Sequence, residues 1–142
     1  MLASYGSWPS PLSAARVTAG GLRLDQIQLD GDDVYWIEGR ASEGGRNVIV
    51  KRLPSGEIVD VTPPGFNVRT RVHEYGGGEY LIHKGDAFFS NFTDQQLYQQ
   101  PRGTVPQMIT SDSAGDARRY ADSVFDERRN RAQWGWGPFL FA

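Results

Sequence analysis

The sequence predicts an all-β chain built from four-stranded antiparallel units, and three observations carry that prediction. Short β-branched and aromatic runs recur along the chain, each closed by a turn rich in Gly, Pro or Asp. The pattern then begins again roughly 50 residues later. Composition agrees: 39% of the 142 residues are hydrophobic, enough to bury a core, and 12% aromatics with 17 glycines favour strands joined by tight turns.

The elements follow in order. Residues 1–20 read as a lead-in segment. Leu22, Leu24, Ile27 and Leu29 mark a first strand whose alternation slips at Gln26. Asp30-Gly31 signals a hairpin, since both turn residues must tolerate positive φ. Val34-Tyr35-Trp36-Ile37 makes the second strand, and Ser42-Glu43-Gly44-Gly45 the next turn. A third strand lies between Asn47 and Leu53, Pro54-Ser55-Gly56 turns the chain, and a fourth strand runs from Glu57 to Thr62.

Pro63-Pro64-Gly65 interrupts, and a second unit follows. Its strands are Glu79-Tyr80-Leu81-Ile82, Ala87-Phe88-Phe89, Gln96-Leu97-Tyr98-Gln99 and Gln107-Met108-Ile109-Thr110. Landmarks match between units: Asp33-Val34-Tyr35-Trp36 with Asp86-Ala87-Phe88-Phe89, and Val61-Thr62 with Ile109-Thr110. A third unit opens at Arg119-Tyr120, with Asp126 where the first has Asp30. Trp134-Gly135-Trp136-Gly137-Pro138 is poor strand sequence. Residues 21–133 are therefore expected to hold the repeats, and residues 134–142 an atypical tail of the kind that truncation or a frame shift produces.

Four-stranded units at this period are the signature of a β-propeller. The expected fold is all-β, a partial β-propeller with about two four-stranded antiparallel blades plus the start of a third. A β-sandwich also strings short strands at regular spacing, and periodicity leaves both architectures open.

Several function classes are disfavoured by composition. The formal net charge is -2 with both signs interleaved, so neither a nucleic-acid footprint nor a polybasic membrane patch is present. There are no cysteines, which excludes disulfides and thiolate metal sites. No stretch approaches the ~20 apolar residues that span a bilayer, and Met1 to Pro11 lacks the charged and apolar regions of a signal peptide. A cytoplasmic protein without cofactors is the expectation. His73-Glu74 points to opposite faces of a strand and has no second histidine at ligand spacing, so no metal is expected there. Asp30, Asp32 and Asp33 lack the EF-hand spacing and its closing Glu, and a hairpin explains them. Asn91-Phe92-Thr93 fits a glycosylation triplet without a secretory signal to deliver it. Trp8, Tyr35, Trp36, Phe88 and Phe89 are expected in the core.

The candidate site is a segment with two chemically different faces. If residues 68–73 are extended, Arg69, Arg71 and His73 share one face and Val68, Thr70 and Val72 the other. A basic row of this kind can attract a peptide carboxylate, because Arg offers a planar two-pronged donor. With Glu74 and Tyr75, these three are the substrate-contact candidates. Gly76 to Gly78 would let a backbone pass close to a neighbour. The competing reading is that the whole segment bonds blade to blade.

Several stretches resemble the N-terminal propeller of the prolyl oligopeptidase family of serine peptidases, in the branch of acylaminoacyl peptidases and dipeptidyl aminopeptidases. They are Tyr5-Gly6-Ser7-Trp8-Pro9-Ser10-Pro11, Asp33 to Arg40, Glu43 to Asn47, Phe89-Ser90-Asn91-Phe92 and Arg119-Tyr120-Ala121-Asp122. Asn67 to Gly78 is the most specific, reading Asn-Val-Arg-Thr-Arg-Val-His-Glu-Tyr-Gly-Gly-Gly. The resemblance implies a propeller that precedes an α/β-hydrolase domain, restricts entry to peptides and orients them. It implies no catalytic residue here. No serine has glycines two residues away on both sides, as a nucleophile elbow requires, and the only histidines are His73 and His83. The chain alone is thus expected to be inactive, meeting peptide substrate only through the absent hydrolase domain. The alternative is a free-standing propeller-type or sandwich interaction module. Fewer than about three repeats leave faces and edges open, so self-association is expected.

Overall fold

The computed structural model describes residues 21–72, 77–110 and 118–136, which form ten strands and no α-helix. The first sheet is β1 (Leu22–Asp30), β2 (Asp33–Arg40), β3 (Arg46–Arg52) and β4 (Ile58–Asp60), each paired antiparallel with the next. The second repeats that order with β5 (Tyr80–His83), β6 (Asp86–Ser90), β7 (Leu97–Gln100) and β8 (Gln107–Met108). A third, two-stranded sheet holds β9 (Tyr120–Asp126) and β10 (Arg131–Trp136). The first strands lie side by side, β1 against β5 and β5 against β9. This is an open, partial β-propeller of two blades and half of a third, and the sandwich alternative falls away. No helix among the described residues is long and apolar enough to cross a membrane.

Local chemistry explains the strand details. The slip at Gln26 is a β-bulge: pairing with β2 jumps between Asp25 and Gln28, and Gln26 takes φ +50°. Two repeats later Asp122 does the same, with φ +52° where the β9–β10 register jumps. The first hairpin turns on Gly31-Asp32, one residue later than expected, because Asp30 pairs with Asp33; of Asp30, Gly31 and Asp32 only Gly31 has positive φ.

β10 requires a second correction. It continues through Trp134 and Gly135 to Trp136, which pairs with Tyr120, although that stretch reads as poor strand sequence. A Cβ on Gly135 would lie 3.2 Å from the Ala121 carbonyl oxygen. The glycine that reads as a strand breaker is what lets two backbones approach at the bulge. The lead-in at residues 1–20 and the tail beyond residue 136 lie outside the described residues.

Where β4 and β8 end, a threonine hydroxyl continues the ladder. Val61 N–H donates to the Ile49 carbonyl (2.8 Å), and Ile49 N–H donates to Thr62 Oγ1 (3.0 Å). In the second blade Ile109 N–H donates to the Leu97 carbonyl and Leu97 N–H to Thr110 Oγ1, both at 2.9 Å. The Val61-Thr62 and Ile109-Thr110 landmarks are thus one device used twice.

The core lies between the first two blades. Tyr35, Ile37 and Ile49 of the first meet Tyr80, Ile82, Ala87, Phe89 and Tyr98 of the second, with Val68 of the crossover among them. Phe66 packs edge-on against Phe89 and Tyr98, at 5.8 and 5.1 Å between centroids. Burying each large side chain stabilises the fold by about 1.5–3 kcal/mol. Of the expected core aromatics, Tyr35 and Phe89 are fully buried, Trp36 and Phe88 are half-buried, and Trp8 lies outside the described residues.

β1 joins β5 through side chains rather than a backbone ladder. Gln26 Oε1 accepts from Glu79 N–H (3.1 Å), and the Tyr80 hydroxyl donates to the Gln26 carbonyl. Gln28 donates to the Tyr80 carbonyl and accepts from Ile82 N–H, both at 2.9 Å. The Asp30 carboxylate accepts from Lys84 and Gly85 N–H (3.2 and 2.6 Å). These residues face the following blade along β1 and satisfy the edge of β5. Asp30 is therefore an inter-blade acceptor, while Asp33 forms an ion pair with Lys51 at 2.5 Å.

Candidate functional site

The crossover from the first blade to the second positions the candidate residues. After Pro63-Pro64-Gly65 the chain returns between the blades, forming one antiparallel bridge at Val68 and bending at Arg71 and Val72. Val68 N–H donates to the Asn47 carbonyl (2.9 Å) and Val68 bridges to Asn91. Arg69 N–H donates to the Ser90 carbonyl (3.0 Å), and Arg71 N–H donates to Gln95 Oε1 (2.8 Å). Val68, Thr70 and Val72 are buried, whereas Arg69 and Arg71 are exposed. The two readings of this segment apply to different atoms: its backbone bonds blade to blade, and its arginine side chains face outward.

Both guanidiniums lie over the Phe92 ring, with their carbons 5.0 Å (Arg69) and 4.4 Å (Arg71) from its centroid. Phe92 is held by the tight loop after β6, where the Asn91 side chain accepts from Asn67 N–H and donates to Asp94. Asn91 is buried, so the glycosylation triplet is consumed internally. His73, Glu74 and Tyr75 lie outside the described residues.

Arg71 also lines a shallow cleft of about 250 Å³ with Arg118, Arg119, Asp94 and Gln95. Arg119 Nη1 donates to the Arg71 carbonyl (3.2 Å), tying the start of β9 to the crossover. Asp94 is engaged within its own loop, accepting from the Tyr98 hydroxyl (2.7 Å) and Asn91 Nδ2 (3.1 Å). Burial, and then that bond, push the Tyr98 hydroxyl up to about 12. Three arginines around one cleft suit a carboxylate ligand. Sequence reasoning assigned Arg71 but not Arg118 or Arg119. Their signal is a basic pair opening the third repeat, and only the fold brings it to Arg71.

Beside the crossover, Gly78 takes φ +51° and a Cβ there would lie 2.4 Å from the Asp122 backbone nitrogen. Asp122 N–H donates to the Gly78 carbonyl (3.0 Å), so this glycine admits the neighbouring blade's backbone. Next to it Glu79 is buried: one carboxylate oxygen accepts from Gly77 N–H (3.2 Å), and the other has no hydrogen-bond partner among the described residues. Burial raises its carboxyl above the ordinary range. His83 is not part of the cleft; it stacks on Phe125 at 3.4 Å, with Nδ1 3.4 Å from Glu127.

Four-stranded blades set first strand to first strand, with a crossover stitching the first to the second, define this chain as a piece of a β-propeller. Among solved structures it is similar to a puromycin-hydrolyzing peptidase of Mycobacterium tuberculosis, with 39% identity and a TM-score of 0.81 over 93% of this chain and 21% of that one. It is also similar to puromycin hydrolase, at 34% identity and a TM-score of 0.76 over 92% of this chain and 21% of that one. A mutant of puromycin hydrolase complexed with PGG matches at 35% and 0.77, with the same coverage. These matches to peptidases are consistent with the resemblance of the sequence to the N-terminal propeller of the prolyl oligopeptidase family. It spans about a fifth of the length of the peptidases it matches. No protein-family model matches the chain, and no curated protein does.

Proposed function

We propose that this chain is the non-catalytic propeller part of a serine peptidase of the acylaminoacyl peptidase or dipeptidyl aminopeptidase kind, acting in the cytoplasm, where it gates and orients peptide substrate. The observation that carries the reading is 39% identity, with a TM-score of 0.81, over 93% of the chain to one fifth of a puromycin-hydrolyzing peptidase. In the intact protein, acyl transfer would be performed by the hydrolase domain, with a serine attacking the carbonyl and a histidine moving the proton. The share of this chain is positional. Arg71, with Arg118 and Arg119 around the cleft and Arg69 beside it over Phe92, would draw in a substrate carboxylate. His73, Glu74 and Tyr75 continue the same segment and are proposed as further contacts.

One set of measurements on the purified chain tests both halves. Incubation with puromycin and with aminoacyl and acyl-aminoacyl chromogenic substrates should give no turnover, and a fluorophosphonate probe should leave no label. Titration with a free peptide should shift NMR signals of the arginine cleft, the C-terminal amide of that peptide should not, and Arg71→Ala should lose the response. Turnover with covalent labelling would overturn the non-catalytic reading. Equal response to acid and amide would overturn the carboxylate assignment.

A further inference from the structure

The crossover between the two complete blades carries more unspent positive charge than one carboxylate uses. Arg69 and Arg71 share its outward face, and both are exposed. Among the described residues neither guanidinium forms an ion pair or donates a hydrogen bond, so the planar donors of both are open to a ligand. Asp94 lines the cleft beside Arg71, but its own loop holds both of its oxygens. Oδ2 accepts from the Tyr98 hydroxyl and Asn91 Nδ2, and Oδ1 accepts from Gln96 N–H (3.0 Å).

Two neighbouring cations repel, and here one ring keeps them together. Phe92 lies 5.0 Å from the Arg69 guanidinium carbon and 4.4 Å from that of Arg71, an attraction that offsets part of the repulsion. The ring is itself fixed. Phe92 N–H donates to the Asn67 carbonyl, and the Phe92 carbonyl accepts from Gln95 Nε2, both at 2.8 Å. Gln95 Oε1 in turn accepts from Arg71 N–H, so one amide sets the ring and the arginine relative to each other.

We infer that this arrangement selects peptides whose last residue is itself acidic. The inference rests on the carboxylate reading proposed above and adds a second carboxylate to it. Arg71, whose carbonyl accepts from Arg119, takes the C-terminal carboxylate at the cleft. Arg69 takes the side-chain carboxylate of the same residue, which makes it the specificity-determining residue. Phe92 is a positioning residue that holds the two arginines side by side. A C-terminal Asp or Glu carries its two carboxylates within a few bonds of each other, so a single residue can reach both arginines.

NMR titration of the full 142-residue chain with short peptides ending in Glu, in Gln, and in Glu with an amidated C-terminus tests this. The Glu peptide should bind about three- to fivefold more tightly than the Gln peptide at low salt, the range of an exposed ion pair, and the preference should shrink at high ionic strength. Arg69→Gln should remove the difference between Glu and Gln. Phe92→Leu should remove it too, whereas Phe92→Tyr, which keeps the ring, should retain it; a far-ultraviolet spectrum checks that each variant folds. Glu and Gln peptides that bind alike, or a Glu preference that survives Arg69→Gln, would overturn the inference while acid still outbinds amide. Acid and amide that bind alike would instead overturn the carboxylate reading beneath it.

Discussion

β1 and β5 begin successive blades with the same alternation, yet they end in opposite environments. Ile27 and Leu29 are each 73% exposed, whereas Tyr80 and Ile82 are 1% and 7% exposed. Propensity cannot account for this, since all four are β-branched, aromatic or aliphatic strand formers. The neighbour does: β5 has a blade before it, and in the described residues β1 has none. A single blade therefore holds half a core on each side, and its stability depends on what is stacked against it.

The largest expected effect breaks the comparison at Phe89 and Trp36, which hold matching positions in β6 and β2. Phe89 is fully buried, stacked on Tyr98 at 5.7 Å and met edge-on by Phe66. Phe89→Ala should cost about 3–5 kcal/mol, enough to unfold a marginal chain. Trp36→Ala should cost well under half as much, because that ring is half-buried on the open side. Urea unfolding of both variants checks this; equal losses would mean that the open face is covered in solution.

A smaller effect sharpens the comparison at the paired threonines. Thr62 is fully buried and accepts from the buried Ile49 N–H, so Thr62→Val strands a donor and should cost about 1–3 kcal/mol. Thr110, a half-buried residue, accepts from Leu97 N–H and donates to Gln96 Oε1 (2.8 Å), and Thr110→Val should cost about 0.5–1.5 kcal/mol because water can reach the partly exposed site and replace these bonds. Hydrogen exchange at Ile49 and Leu97 reads the same difference locally. Identical losses at the two sites would show that burial of the hydroxyl does not set the cost.

These pairs also show what the sequence could reveal. Gln26 appeared as a break in alternation and is a bulge; Val61-Thr62 and Ile109-Thr110 appeared as repeat landmarks and are one hydrogen-bonding device. Such features are local, so the order of residues displays them. Gly135 misled because a glycine in a strand signals weakness unless the opposing carbonyl, here that of Ala121, is known to be close. Most of the arginine cleft was hidden for the same reason. Arg71 and Arg119 meet only after two blades have stacked, and no local pattern records that meeting. Arg69 and Arg71 were legible as one face because alternation alone decides it.

The subtlest expected effect concerns Glu79, where the second blade places a carboxyl at the buried edge and the first blade has Gln26. Burial raises the Glu79 carboxyl above its unfolded value of about 4.3, and Asp25 adds to the rise. The bond from Gly77 N–H and the charge of Arg23 oppose it. Between the unfolded and folded values the native chain binds more protons than the unfolded one, so stability falls as pH rises through that window. Glu79→Gln removes the titration. Denaturation midpoints should therefore drop more between pH 4 and pH 8 for the unmodified chain than for the variant, after the shared response of the other carboxylates is subtracted. The opposite sign would mean that Glu79 is ionised and paired in the native chain, and that the edge of the second blade is held by a charge rather than strained by one.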